Sequence, residues 1–150
     1  MTLYFSTKTY GHERGLSCCF RQWRDDGHCR FVHGYALAVS LEFRATELDE
    51  RGWVMGFGHL RPVRRWLEET FDHTLCIAED DPERARLSAL AEAGLCQLRV
   101  LPAVGCEAFA RHVLEHVSAW LRERGLSPRV TLHRVEVREH GANSAGIALA

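Results

Sequence analysis

The sequence predicts one α+β domain in which helices cover one face of an antiparallel sheet. Two long segments alternate apolar and polar residues with the two-residue period of a β-strand, and three others place apolar residues at helical spacing. The elements follow the order strand, strand, helices, strand, strand, which is typical of an antiparallel sheet with one covered face. With 150 residues, the chain can bury such a core without disulfides or a structural metal.

The first part of the chain supplies two predicted strands. Residues 2–12 alternate weakly and are rich in Thr, Tyr and Phe, which favours a strand. We expect a loop over residues 13–29, which are polar and irregular. Residues 35–46 alternate strongly and predict a long strand, which the turn at 47–53 ends. The apolar face of this long strand consists of Tyr35, Leu37, Val39, Leu41 and Phe43.

Three helices are predicted after the long strand. Residues 59–71 have apolar side chains at helical spacing, and Pro62 is tolerated because it falls in the first turn. Residues 81–94 form a second helix with Asp81 as its cap, a proline at its first position and a glycine as its terminator. Residues 106–125 form a long amphipathic helix.

Three more segments complete the predicted sheet. Residues 97–102 form a short apolar strand before the long helix, and residues 129–139 alternate like a strand after it. Residues 144–150 add a last short strand. No repeat, low-complexity segment or linker divides the chain, so we treat residues 1–150 as a single domain.

Composition and charge exclude several functional classes. The formal net charge is −1, and the 19 basic residues are scattered among 20 acidic ones, so the charge pattern of a nucleic-acid-binding protein is missing. No window approaches the roughly 18 apolar residues of a membrane span, and the N-terminus lacks the pattern of a signal peptide. The six cysteines include no C-x2-C pair, which favours reduced thiols. We therefore expect a cytoplasmic protein without a membrane or nucleic-acid partner.

A first group of reactive side chains lies around the start of the long strand. Cys29 and His33 stand four residues apart just before it, and His12 ends the preceding strand. If the two strands pair, His12 and His33 come within reach of each other. Imidazoles are common zinc ligands, but a catalytic zinc needs about three protein ligands and these residues supply two. Chance proximity among nine histidines is the alternative.

Two further features suggest chemistry. Asp72 and His73 directly follow the first helix, and a carboxylate beside an imidazole can orient it for proton transfer. The same pair could instead interact with the helix C-terminus. Glu139 ends the strand at 129–139, and a carboxylate there can accept two parallel hydrogen bonds from a flat donor edge such as a 2-aminopyrimidinone. A solvated strand-end charge is the alternative for Glu139.

Several short motifs occur together in one order. They are a first-strand histidine, a Cys-x3-His-Gly segment that opens the next strand, a Gly-Trp-Val turn, an Asp-His pair, a glutamate at a helix start and a glutamate at a strand end. In this order the sequence resembles the 6-pyruvoyl- and 6-carboxytetrahydropterin synthase family over nearly its whole length. The matching positions are His12, 29–35, 52–57, 72–73, 104–107 and 137–139.

The resemblance implies a tunnelling fold, in which subunits form closed rings that stack, commonly as a homohexamer with active sites between subunits. It also implies a lyase that acts on 7,8-dihydroneopterin triphosphate or a related pterin, in queuosine or folate-related biosynthesis. In that chemistry zinc polarises the substrate side chain, a thiolate and a histidine move protons, and triphosphate or a carbon fragment leaves. Arg30, Arg21, Arg14 and Lys8 are candidates for phosphate contact.

The resemblance also assigns roles to individual residues. The corresponding residues are His12 and His33 as two of three zinc ligands, Cys29 as the catalytic thiol, Asp72 and His73 as the proton-relay pair, Glu139 as the pterin anchor and Glu107 as a further substrate-binding candidate.

Tyr35 stands where the family has its third zinc ligand, a histidine, and a neutral phenol is a poor ligand for zinc. Gly56 also replaces a family aspartate. Three interpretations of Tyr35 are open. Another side chain completes the zinc sphere, or the site binds metal weakly and acts on a different pterin, or the chain is a non-catalytic protein that binds a pterin or purine-like ring. The candidate replacement ligands are Cys18, Cys19, His28 and His59.

Two further interpretations involve no chemistry. Tyr35 could simply fill space on the sheet, and the chain could be an assembly subunit without a ligand. Cys76, Cys96 and Cys106 are expected to be small buried side chains without a chemical role.

Overall fold

Seven strands of the chain form one sheet, and the computed structural model describes all 150 residues. The strands are β1 (Tyr4–Tyr10), β2 (Leu16–Phe20), β3 (His33–Ala45), β4 (Thr74–Ala78), β5 (Gln97–Leu101), β6 (Val130–His140) and β7 (Asn143–Ala148). The helices are α1 (Arg61–Phe71), α2 (Arg84–Glu92) and α3 (Cys106–Glu123), with short 3-10 turns at His12–Arg14, His28–Arg30 and Phe57–Leu60. None of the helices is both long enough and apolar enough to cross a membrane.

The sheet is antiparallel around β3 and parallel at one end. Its order is β5-β4-β2-β3-β6-β7, and β1 pairs with β3 as well. β1 and β2 follow each other along the same edge of β3, because Tyr10 pairs with Val39 and Leu16 with Leu37. β4 pairs in parallel with both β2 and β5. The expected antiparallel sheet is therefore present and carries a parallel extension.

The core lies between the sheet and the helices α1 and α3. Alternate side chains of β3 are fully buried on this side, as the two-residue period of its sequence predicts. The amphipathic sides of α1 and α3 pack on these side chains in one apolar cluster. Its members include Leu37, Val39, Leu41, Phe43, Val63, Leu67, Phe109, Val113, Val117 and Leu121.

Two strands lie where none was predicted. Residues 16–20 form β2 inside the segment expected to be a loop, and β4 occupies the stretch between the first two helices. The second helix begins at Arg84, three residues later than expected. Asp81 does accept a hydrogen bond from the Glu83 N–H at 2.8 Å, but it lies ahead of the helix and forms an ion pair with Arg21.

Candidate active site

Four of the predicted site residues line one cavity. Its volume is about 350 Å³, and it opens where β2, the turn before β3, the N-terminus of α3 and the end of β6 meet. Cys29, His33, Glu107 and Glu139 all contribute to its wall. We call it the Cys29–Glu139 cavity. A second cavity, of about 410 Å³, is mainly apolar and contains none of the predicted site residues.

Cys29 is an exposed free thiol on a hydrogen-bonded turn. Its backbone carbonyl accepts a hydrogen bond from the Gln22 N–H at 2.8 Å. Its N–H donates to Oδ2 of Asp25 at 3.2 Å, and Gly27 N–H donates to the same oxygen at 3.0 Å. The backbone N–H and carbonyl of Cys29 are therefore both hydrogen-bonded, which fixes the backbone that carries the thiol at the cavity.

A buried ion pair holds the ends of the Cys29 segment. Arg21 donates to both carboxylate oxygens of Asp81, at 2.8 and 2.7 Å, and also to the Arg30 carbonyl at 3.2 Å. The Asp81 side chain is 1% exposed, and the hydrogen bond from Arg21 lowers the pKa of this carboxyl. Asp81 thus remains charged and ties the segment after β4 to the segment that carries Cys29.

Glu139 lies beside two neutral hydrogen-bond donors. Burial raises the pKa of Tyr35, and the negative charge of Glu139 raises it further. Burial likewise raises the pKa of Cys106 to about 12, and Glu139 is again the next largest cause. The phenol and the thiol therefore stay protonated near the carboxylate. Cys106 is buried, as expected, but it also lines the cavity, a contact that sequence reasoning missed.

The two predicted zinc ligands share one hydrogen-bonding arrangement. Nδ1 of His33 bonds the Phe31 carbonyl at 2.6 Å, and Nδ1 of His12 bonds the Ala36 carbonyl. A carbonyl only accepts, so Nδ1 carries the proton in both rings and the Nε2 lone pair is left free. Nε2 of His12 is buried without a hydrogen-bond partner. Both imidazoles are thus oriented as metal-ligating histidines usually are.

The third zinc position is not filled by a suitable donor. Tyr35 packs edge-on against His33, with ring centroids 5.5 Å apart, and its raised pKa favours the neutral phenol. Cys18, one proposed replacement, lies with its sulfur 3.7 Å from that of Cys76, and this contact together with burial raises its pKa. No group of three or more His, Cys, Asp or Glu side chains is arranged to hold a metal ion. These residues do not fit a zinc site with three protein ligands.

Asp72 and His73 form a hydrogen-bonded pair outside the cavity. His73 Nδ1 lies 2.8 Å from Oδ1 of Asp72, and the same oxygen accepts the Ser17 N–H at 3.1 Å. The His73 side chain is 78% exposed, and its backbone is left-handed with φ of 52°. Ser17 and the cavity-lining Phe20 lie toward opposite ends of β2. Neither residue of the pair lines the Cys29–Glu139 cavity of its own chain.

Comparison with known proteins identifies the family. A family model described as 6-pyruvoyl tetrahydropterin synthase matches residues 11–148. Two curated proteins named 6-carboxy-5,6,7,8-tetrahydropterin synthase, from Rickettsia felis and Rickettsia conorii, are 32% and 31% identical over 77 residues. That alignment covers 45% of this chain and 56% of each relative, so the chain spans about half the length of the curated proteins it matches.

Solved structures share the fold over the whole chain. An uncharacterized protein from Wolinella succinogenes has a TM-score of 0.80 at 22% identity, and the match covers 99% of both chains. The 6-pyruvoyl tetrahydropterin synthase of Plasmodium falciparum has a TM-score of 0.68 at 18% identity and 98% coverage of both. The expected tunnelling fold is therefore confirmed. With its model matched over nearly the full length, the chain belongs to the 6-pyruvoyl tetrahydropterin synthase family.

Proposed function

We propose that the protein is a lyase of pterin metabolism that acts on 7,8-dihydroneopterin triphosphate or a closely related pterin. The observation that carries this proposal is the Cys29–Glu139 cavity, which gathers four residues found at motif positions of the family. The Rickettsia relatives bear the name of such an enzyme. The cavity volume of about 350 Å³ also lies within the range of small-ligand sites.

Glu139 is the proposed anchor for the pterin ring. Its two carboxylate oxygens can accept parallel hydrogen bonds from the N–H and amino group of a 2-aminopyrimidinone. Tyr35 and Cys106 remain protonated beside it and can donate to the carboxylate, which keeps its charge satisfied before the ligand arrives. Glu107, at the start of α3, lines the same cavity and is a second acceptor for the ring.

Cys29 and His33 are the proposed proton-transfer groups within one chain. In an elimination, a base removes a proton from a side-chain carbon, the C–H electrons form a double bond, and triphosphate leaves with the electrons of the broken C–O bond. The thiolate of Cys29 or the free Nε2 of His33 can take that proton, since both side chains line the cavity. No step is assigned to a metal, because the donor set does not fit a three-ligand zinc site.

We further propose that the site is completed by another copy of the chain. The Asp72–His73 pair is an oriented, exposed proton donor or acceptor that does not line the Cys29–Glu139 cavity. In a ring assembly such as a homohexamer, a neighbouring subunit can bring this pair to the cavity. The six free cysteines also favour a reducing compartment such as the cytoplasm.

A second candidate function is binding of a pterin or purine-like ring without catalysis. Tyr35 favours it, because a phenol stands at the third ligand position and the two imidazoles alone are a poor zinc site. Glu139 would anchor the ring in a lyase and in a binding protein alike, so ring binding alone does not distinguish the two functions.

Turnover of 7,8-dihydroneopterin triphosphate tests the proposal. We expect tag-free protein to release triphosphate, and Glu139→Gln to raise the KM at least about tenfold, since it removes a charged hydrogen-bond acceptor. Glu115→Gln, on the exposed side of α3, is the control and leaves turnover unchanged. Ring binding without product would establish the binding protein instead. A wild-type protein that binds no pterin would overturn both functions, and the product formed would identify the pathway branch.

A further inference from the structure

A group of basic side chains surrounds a small cleft that is separate from the Cys29–Glu139 cavity. The cleft has a volume of about 60 Å³ and lies between β1, the turn at His12–Arg14 and the start of α1. Four cationic side chains line it: Lys8, Arg14, Arg61 and Arg64. We call this the basic cleft. None of its lining residues belongs to the Cys29–Glu139 cavity.

The positive charge of the basic cleft is largely uncompensated. Arg64 has one salt bridge, in which Glu68 lies 3.7 Å away and both side chains are about half exposed. Lys8, Arg14 and Arg61 form no salt bridge in the chain. Like charges that line one cleft repel each other, and a bound anion would remove this cost.

A buried hydroxyl without a partner points independently to a ligand. Tyr10 is 2% exposed, its ring packs in the core, and its hydroxyl has no hydrogen-bond partner. Tyr10 also lines the basic cleft. A buried hydroxyl that makes no hydrogen bond costs roughly 1–3 kcal/mol, so native chains usually provide a partner. An oxyanion held by the surrounding cations would accept this hydrogen bond.

The N-terminus of α1 contributes an electrostatic field that favours an anion in the basic cleft. Arg61 is the first residue of this helix of 11 residues, and no side chain caps its N-terminus. The helix dipole attracts negative charge to this end, whereas Pro62 in the first turn has no N–H to donate. The helix end alone would not define a site, but here it faces the same cleft as the four cations and the Tyr10 hydroxyl.

We propose that the basic cleft binds a phosphate group, either as free phosphate or as part of a phosphate ester. Its volume of about 60 Å³ suits a small tetrahedral oxyanion better than a pterin ring. Arginine is suited to phosphate because its planar fork donates two parallel hydrogen bonds. Lys8 and Arg14 are also among the candidates named above for contact with a substrate phosphate, but the observations for this cleft and its tests do not rest on the proposed function.

Calorimetric titration with inorganic phosphate, in phosphate-free buffer at fixed chloride, tests this site. We expect saturable binding, and a dissociation constant raised about tenfold or more by Arg64→Gln and about threefold to tenfold by Tyr10→Phe. Arg65→Gln is the matched control, because Arg65 is exposed on the same helix but does not line the cleft. It should change the constant less than about twofold.

A folding measurement separates ligand binding from a structural role of the hydroxyl. Without phosphate, Tyr10→Phe should leave the unfolding midpoint unchanged or raise it, since it removes an unpaired buried group. Phosphate should then stabilise the wild type more than this variant. If Tyr10→Phe lowers the midpoint and binds phosphate like the wild type, the hydroxyl has no part in the site and the proposal fails.

Two ligands distinguish the source of the phosphate. Tripolyphosphate binding at least about tenfold tighter than phosphate would indicate the chain of a phosphate ester, and equal affinity would indicate free phosphate. Either result should persist in Glu139→Gln, which disables the proposed pterin site but leaves the basic cleft intact. Absence of saturable binding up to about 10 mM phosphate, or an equal loss in Arg65→Gln and Arg64→Gln, would overturn the proposal.

Discussion

The Cys29–Glu139 cavity and the Asp72–His73 pair differ in how the chain builds them. Four separate segments converge on the cavity, and the buried Arg21–Asp81 ion pair fixes the segment that carries its thiol. The Asp72–His73 pair instead stands exposed toward the other end of β2, held by one backbone N–H from Ser17. The imidazole of His73 is oriented by a carboxylate, yet it does not line the Cys29–Glu139 cavity of its own chain. The comparison supports a site shared between copies.

Complementation between two inactive variants would give the largest effect and tests this difference directly. We expect Cys29→Ser and His73→Gln each to lower kcat by a factor of about 10² to 10⁴, because each removes a proton-transfer group. If the two residues act from different subunits, oligomers reassembled from an equal mixture regain about a quarter of wild-type activity, since that fraction of shared sites receives both native residues. The measurement is triphosphate release by the mixture.

The controls for this mixture are simple. Glu115→Gln, on the exposed side of α3, should retain wild-type activity. Cys29→Ser mixed with itself should stay inactive. If the Cys29→Ser and His73→Gln mixture also stays inactive although the subunits have exchanged, both residues belong to a site within one chain.

A single substitution at Tyr35 tests whether a third imidazole completes a zinc site with His12 and His33. We expect wild-type protein, purified without added metal or chelator, to contain well under one zinc per chain, whereas Tyr35→His takes up about one, since three imidazoles complete a catalytic zinc site. Elemental analysis measures the difference.

Tyr35→Phe is the matched control for the metal measurement. It removes the phenol without adding a ligand, so its zinc content should stay at the wild-type level. A wild type that already holds one zinc per chain would mean that another side chain completes the site. The raised pKa of Tyr35 makes the phenolate itself an unfavourable ligand at neutral pH.

Local patterns in the sequence predict much of this fold. The two-residue period gives β3 and its buried face, and the helical spacing of Phe109, Val113, Val117 and Leu121 gives α3, because both elements bury one side only. The two-residue period does not reveal β4, because all five of its residues are buried and its sequence therefore does not alternate. β2 is short, includes two cysteines and lies between polar segments.

In the candidate site, too, the sequence predicts some residues and misses others. Cys29, His33, Glu107 and Glu139 occur in short motifs, so the resemblance locates them and the structure brings them to one cavity. Arg21 and Asp81 are 60 residues apart, and no local pattern connects them. The resemblance also cannot say whether Asp72 and His73 serve the cavity of their own chain, because sequence order carries no information on which copy completes a site.

Removing the Arg21–Asp81 ion pair gives the smallest predicted effect, and the neighbouring Arg24–Asp80 pair provides the control. Asp81 is 1% exposed and Arg21 19%, so Asp81→Asn should lower the free energy of unfolding by about 3 kcal/mol, since it removes the charged partner of a partly buried guanidinium. The Arg24–Asp80 pair is 62% and 53% exposed, and Asp80→Asn should cost less than about 1 kcal/mol. Urea unfolding at pH 7 compares the two variants.

The pH dependence of the same pair supplies a second readout. The pKa of Asp81 is lowered in the folded chain, so its contribution to stability is complete above the unfolded value near 3.9 and is lost as the pH falls through the folded value. Asp81→Asn should remove this part of the acid sensitivity, and it should also change the rate at which iodoacetamide alkylates Cys29, because Arg21 no longer anchors the segment. An unchanged alkylation rate in a destabilised Asp81→Asn protein would show that the ion pair supports the fold but does not position the thiol.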